Sequence, residues 1–198
     1  MRLTENIGAL AALTPDYMGF IFWAPSSRFV DGPTPSLSNS IKKTGVFVDA
    51  SIDYIETIIK EHQLQAVQLH GKEAPEYCSY VQSLEVEVIK AFSIKDQFDF
   101  KSLAPYESSC DFYLFDTKGE LPGGNGYGFD WQLLKEYPSQ KPFFLSGGIG
   151  LKNIKAIREL KKIKLPLYAI DVNSAFESTP GVKKIDELTQ FKNELYEL

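Results

Sequence analysis

Short apolar runs alternate with longer amphipathic stretches from one end of the chain to the other. The runs cover Tyr17 to Phe22, Thr44 to Val48, Ala66 to Leu69, Val86 to Lys90, Phe112 to Phe115, Phe143 to Leu145 and Leu167 to Ile170. Their apolar positions are nearly continuous, as expected of strands covered on both faces. Between them the period becomes helical. Ile52, Ile55, Ile58 and Ile59 share one face, as do Leu151, Ile154, Ile157 and Leu160, and likewise Ile185, Leu188, Phe191 and Leu195. Buried strands alternating with helices predict βαβ units and a parallel sheet.

The strand ends near Phe22 and Ile170 bracket six such units of about 25 residues each, a usual repeat for a (β/α)8 barrel. That barrel has eight strands, and seven are legible. One unit back from Phe22 falls just before Met1, so the pattern predicts an α/β TIM-type barrel with its first strand missing at the N-terminus. Leu3 to Leu13 suits the first helix, with Thr4 as its cap, Glu5 in its first turn, and Ile7, Leu10 and Ala11 on one face. An open seven-stranded parallel sheet fits the same periodicity. No linker or low-complexity tract divides the chain, and Asp31-Gly32-Pro33-Thr34-Pro35 reads as a loop, so residues 1–198 are expected to form one domain.

At 198 residues the chain is long enough for a full hydrophobic core, and its formal net charge of -5 argues against nucleic acid or an anionic membrane as partner. The two cysteines, Cys78 and Cys110, have no CxxC spacing, which argues against a disulfide framework or a zinc site and for a reducing compartment. The start has no apolar signal core and no run approaches membrane-spanning length, so the expected location is the cytoplasm.

Candidate chemistry gathers at the strand ends. Asp116 closes the run Phe112 to Phe115 and is followed by Thr117-Lys118-Gly119 and by Gly123-Gly124-Asn125-Gly126. A carboxylate between a strand and a glycine-rich loop suits a proton donor, and burial there would raise its pKa in the required direction. Taken alone, Asp116 is equally well an aspartate capping a loop. Leu145-Ser146-Gly147-Gly148 and Ile170-Asp171-Val172-Asn173-Ser174 form two more strand ends, and His70 ends another. A lone Gly-Gly is by default a tight turn. Two such sites on adjacent strand ends favour a phosphate, held by backbone N–H groups and by the positive end of the helix near Leu151.

These segments, in this order, resemble the phosphoribosylanthranilate isomerases of tryptophan biosynthesis, from Glu5 almost to the C-terminus. Gly19-Phe20-Ile21-Phe22 with Ser26-Ser27-Arg28-Phe29-Val30 is similar to the family's second strand and its S-x-R loop. Gly45-Val46-Phe47-Val48-Asp49, Val67-Gln68-Leu69-His70-Gly71 and Ile89-Lys90-Ala91-Phe92 resemble the third, fourth and fifth strands. Leu114-Phe115-Asp116-Thr117, with the glycine loop and Phe129-Asp130-Trp131, looks like the sixth. Leu145-Ser146-Gly147-Gly148-Ile149 and Ala169-Ile170-Asp171-Val172-Asn173-Ser174, with Glu177, Pro180 and Gly181, resemble the last two.

The resemblance implies an Amadori rearrangement of a phosphoribosyl anthranilate, with no cofactor and no metal. It assigns the general acid to Asp116, the anthranilate carboxylate to Arg28, further substrate contacts to His70 and Asp171, and the phosphate to Gly147, Gly148, Asn173 and Ser174. The base in the family is a cysteine in a Lys-x-Cys-Gly-x-Arg type motif on the first strand, and only Met1-Arg2 could be its tail here. Neither Cys78, in a predicted helix, nor Cys110, before a strand, replaces it. Asn173 and Ala175 stand where many relatives carry Ser and Gly. Two other readings remain open at this stage: a non-catalytic phosphate-ligand-binding relict of the barrel, and a different phosphosugar isomerase such as one of the histidine pathway. Unpaired edges beside a missing strand also invite pairing with another chain, so a homodimer is possible.

Overall fold

In the computed structural model, residues 1, 3–94, 97–117 and 131–196 are described. The first helix, α1 (Thr4–Ala11), precedes the strands β1 (Tyr17–Ile21) and β2 (Lys42–Phe47). Next come α2 (Ile52–His62), β3 (Ala66–Leu69), α3 (Pro75–Gln82), β4 (Glu87–Ile94) and β5 (Phe112–Thr117). The chain continues through β6 (Phe143–Ser146), α4 (Ile154–Lys161), β7 (Leu167–Ile170), a hairpin of β8 (Glu177–Thr179) and β9 (Val182–Lys183), and α5 (Ile185–Tyr196).

β1 to β7 form one seven-stranded sheet in sequence order, each neighbouring pair parallel. The sheet curls on itself: the Tyr17 ring of β1 lies 5.1 Å from Phe144 of β6 and 6.4 Å from Tyr168 of β7. No ladder between β1 and β7 closes it among the described residues. β1 is thus the strand the resemblance numbers second, and β7 the eighth.

Alternation along each strand sorts the side chains into two cores. Ala66, Ile89, Ala91, Leu114 and Phe144, with Tyr17, Phe112 and Ala169 against them, come from six strands and fill the inside of the curl. The odd-numbered partners Val67, Leu69, Tyr113, Phe115, Phe143 and Leu145 point outward into a second layer with the helices, including Ile55, Ile58, Val81, Ile157, Leu160, Leu188 and Phe191. Each such fully buried large side chain contributes about 1.5–3 kcal/mol over exposure. Phe20 and Phe22 belong to this outer layer, while Trp23 is left exposed.

Several local expectations shift. Thr4 does not cap α1; Leu3 holds the N-cap position, without a side-chain bond. The helix near Leu151 starts as a 3-10 turn, Leu151–Asn153, before α4. No helix links β1 to β2, where Pro25, Pro33 and Pro35 lack the N–H donors a helix needs. Among the described residues the links after β4 and β5 carry 3-10 turns, Phe100–Tyr106 and Trp131–Glu136. His62 packs against Phe22 with ring centroids 4.6 Å apart. No helix of the described residues is long and apolar enough to cross a membrane.

Candidate active site

All seven parallel strands point their C-terminal ends the same way, and the chemistry-bearing residues lie there. In β3 the inward position after Ala66 is Gln68, and the next is His70, just past the strand. The Gln68 amide donates to His70 Nδ1 at 2.8 Å, which leaves the ring proton on Nε2, directed at Asp116 Oδ2 at a long 3.4 Å. Asp116 pairs with Ser93 of β4 and Ser146 of β6 in register, and it is buried. The alternation that sends Phe115 out to the helices turns Asp116 inward above Leu114.

The next carboxylate follows the same rule. Asp171 succeeds β7, its N–H bonds the Leu145 carbonyl at 2.8 Å, and its Oδ2 accepts from Ser146 Oγ at 3.0 Å. Burial pushes its carboxyl up and the nearby Asp116 adds to this, against the Ser146 bond and the charges of Lys183 and His70. His70, Asp116, Ser146 and Asp171 therefore form one polar crescent across β3, β5, β6 and β7.

Gly147 and Gly148 follow β6 with φ of 108° and 63°, a pair of positive values that side-chain-bearing residues rarely adopt. Their loop runs to Gly150, whose N–H is taken by Asn153 Oδ1 at 2.9 Å. A Cβ added at Gly150 would lie 3.2 Å from the Ala175 Cβ, so the loops after β6 and β7 touch. Ser174 opens a three-residue 3-10 turn, Ser174–Phe176, with Asn173 before it. The two phosphate candidates, Gly147-Gly148 and Asn173-Ser174, are thus neighbours.

Arg28 sits on the loop after β1, which is drawn back onto that strand by the Val30 N–H bond to the Ile21 carbonyl at 2.9 Å. Its guanidinium, partly exposed, pairs with Glu177 at 2.6 Å. Glu177, named only within a motif, and Lys183, not singled out at all, are the functional candidates that sequence reasoning passed over. Arg28 lies 149 positions from Glu177, and the Glu177–Lys183 pair closes a hairpin too short to leave a local pattern.

Both cysteines are remote from the crescent. Cys78 is in α3 and Cys110 precedes β5, both buried in the outer layer. Burial pushes their thiols up to about 11 and about 12, the reverse of what a thiolate base needs. The glycine-rich loop with Lys118, Gly119, Gly123 to Gly126 and Asp130 lies outside the described residues. No group of three His, Cys, Asp or Glu side chains among the described residues is placed to hold a metal.

Comparison with known proteins places this arrangement. A protein from Parabacteroides distasonis named N-(5'-phosphoribosyl)anthranilate isomerase is 43% identical over 198 residues, covering 96% of this chain and 88% of its own. The crystal structure of phosphoribosyl anthranilate isomerase from Thermotoga maritima superposes with a TM-score of 0.82 at 28% identity, over 100% of this chain and 96% of that one. A crystal structure of a phosphoribosyl anthranilate isomerase in complex with reduced 1-(o-carboxyphenylamino)-1-deoxyribulose 5-phosphate gives a TM-score of 0.78 at 27% identity, covering 99% of this chain and 96% of that one. The family model described as N-(5'phosphoribosyl)anthranilate (PRA) isomerase matches residues 3–194, and the chain belongs to that family.

Proposed function

We propose that this chain carries the isomerase site for the Amadori rearrangement of N-(5'-phosphoribosyl)anthranilate in tryptophan biosynthesis, as a single cytoplasmic barrel domain. The observation that supports it best is the polar crescent of His70, Asp116, Ser146 and Asp171 beside the Gly147-Gly148 loop, at the strand ends of a chain in this family. Asp116 donates a proton to the ribose ring oxygen as the C1′–O bond breaks, forming the Schiff base. His70, through Nε2–H, holds Asp116, and Asp171 with Ser146 lines the opposite wall against the sugar hydroxyls. The phosphate is received by backbone N–H groups of Gly147 and Gly148 and by Asn173 and Ser174, with the dipole of α4 behind them. Arg28 binds the anthranilate carboxylate through its planar fork.

Loss of the C2′ proton then yields the enolamine and, on tautomerisation, the aminoketose. The resemblance gives this proton to a cysteine of the Lys-x-Cys-Gly-x-Arg type strand, a segment not among these 198 residues. The binding-only relict shares every phosphate and carboxylate contact, and the family match favours the isomerase over it. Apart from the Ile21–Phe29 bridge, the outer edges of β1 and β7 have no ladder partner among the described residues, which supports homodimer formation as a further proposal.

Binding is tested by calorimetry with reduced 1-(o-carboxyphenylamino)-1-deoxyribulose 5-phosphate. Saturable binding competed by inorganic phosphate is expected. No detectable binding at millimolar ligand refutes the site assignment.

A further inference from the structure

Beyond β1 and β7, the loops at the open seam are joined by charge and not by a β-ladder. Nε and Nη2 of Arg28 both donate to Glu177 Oε2, at 2.8 and 2.6 Å. The other carboxylate oxygen accepts from Lys183 Nζ at 2.9 Å and from the Gly181 N–H at 3.1 Å. Lys183 also donates to the Asn173 carbonyl at 3.2 Å and to its side-chain oxygen at 2.5 Å. One chain of contacts therefore runs from the carboxylate-binding arginine to the loop that holds the phosphate candidates.

Glu177 is built in, not poised to leave. Its side chain is 4% exposed, and removing its carboxylate from these donors would strand two cations. Burial opposes its charge, yet the Arg28 and Lys183 bonds prevail and hold the carboxyl at about 2. The pairing uses the Nε–Nη2 edge of a planar group with five donors, so Nη1 lies on the side away from Glu177. Arg28, Glu177 and Lys183 together carry one net positive charge, with the Asp171 carboxyl, pushed up by burial, acting on the Lys183 side. Arginine has much rotamer freedom to lose on binding, and a partner that removes it beforehand raises affinity without touching the ligand.

We propose that Glu177 is a positioning residue for carboxylate recognition: it locks Arg28 with its outer edge toward the ligand's aromatic carboxylate, and Lys183 braces Glu177 from the phosphate side. This rests on the isomerase reading, in which Arg28 takes that carboxylate.

The test compares two ligands that differ only in the carboxylate, the reduced o-carboxyphenylamino deoxyribulose phosphate and its phenylamino analogue. Glu177→Gln is expected to weaken the carboxylated ligand by about 10–100-fold while the phenylamino ligand changes by less than about threefold. Lys183→Met, which leaves the Arg28–Glu177 pair in place but releases Asn173, should weaken both ligands, the carboxylated one more. Arg28→Lys combined with Glu177→Gln should lose little more than the worse single variant, because both act through one guanidinium. Equal weakening of both ligands by Glu177→Gln, or no change in either, overturns the proposal while the isomerase reading stands. Wild-type protein that binds neither ligand refutes that reading, and the proposal with it.

Discussion

Lys90→Met should be among the most damaging single changes outside the site. Lys90 points from β4 into the layer between sheet and helices, and its side chain is 3% exposed beside a Glu73 at 2%. Its Nζ donates to Glu73 Oε2 at 2.9 Å, to the carbonyls of Gly71 at 2.8 Å and Leu69 at 3.3 Å, and to that of Ala91 at 3.2 Å. Two of these carbonyls flank His70, so Lys90 clamps the backbone on either side of it. Glu73 in turn accepts the N–H groups of Asp49 at 3.0 Å and Gly71 at 3.1 Å. Methionine fills the volume but leaves Glu73 charged, buried and without its cation. Breaking one side of a buried pair costs about 3–5 kcal/mol. For a chain of this size that lowers Tm by roughly 6–20 °C. Urea titration followed by circular dichroism measures the loss, with an unchanged m value showing that the native fold is the same. Adding Glu73→Gln removes the stranded charge and should recover about 1–2 kcal/mol. A Lys90→Met variant within about 1 kcal/mol of wild type, or a strictly additive double variant, would refute this account of the pair.

Three further outcomes are expected. Asp116→Asn, in a protein competent for turnover, should slow isomerisation by about 10²–10⁴-fold with ligand affinity nearly intact; retained turnover removes Asp116 from the acid role. Glu177, with a carboxyl held at about 2 against an ordinary 4.5, faces Arg28 and Lys183. Its depressed pKa stabilises the fold fully above about pH 4.5, and that contribution is lost as pH falls toward about 2. Wild type should therefore lose more stability than Glu177→Gln across this window, and parallel acid melts for the two would contradict it. At Gly148, where φ is 63° and a Cβ would meet nothing within 4 Å, Gly148→Ala should cost about 1–2 kcal/mol through backbone strain alone. A thermal melt unchanged from wild type would show that the loop relaxes without penalty.

The strands were legible because burial on both faces writes an apolar run, and seven of them emerged in order. Their limits were less so where buried charge interrupts the run. β2 begins at Lys42, not Thr44, because Lys42 pairs with Glu87 and Lys43 Nζ reaches the His62 carbonyl at 2.7 Å. β4 continues to Ile94 past Lys90, whose partner Glu73 lies 17 positions earlier. A two-faced strand also hides which face is inner, so the outward turn of Phe20 and Phe22 could not be read from period. The hairpin of β8 and β9 is too short to leave a pattern. In the site, Asp116, His70 and Asp171 sit at strand ends where sequence order alone puts them on one rim. The Arg28–Glu177 pair spans 149 positions and only folding discloses it.

Steady-state isomerisation of N-(5'-phosphoribosyl)anthranilate by the 198-residue chain, beside a version extended at its N-terminus by a Lys-Ile-Cys-Gly strand, separates the sites within these residues from the base. Turnover by the extended protein, with little from the chain alone, is the result predicted by the proposed site, in which these residues hold acid, carboxylate and phosphate contacts and the added cysteine supplies the base. Comparable turnover by both would place the base within these residues. Inactivity of both would contradict the isomerase site itself.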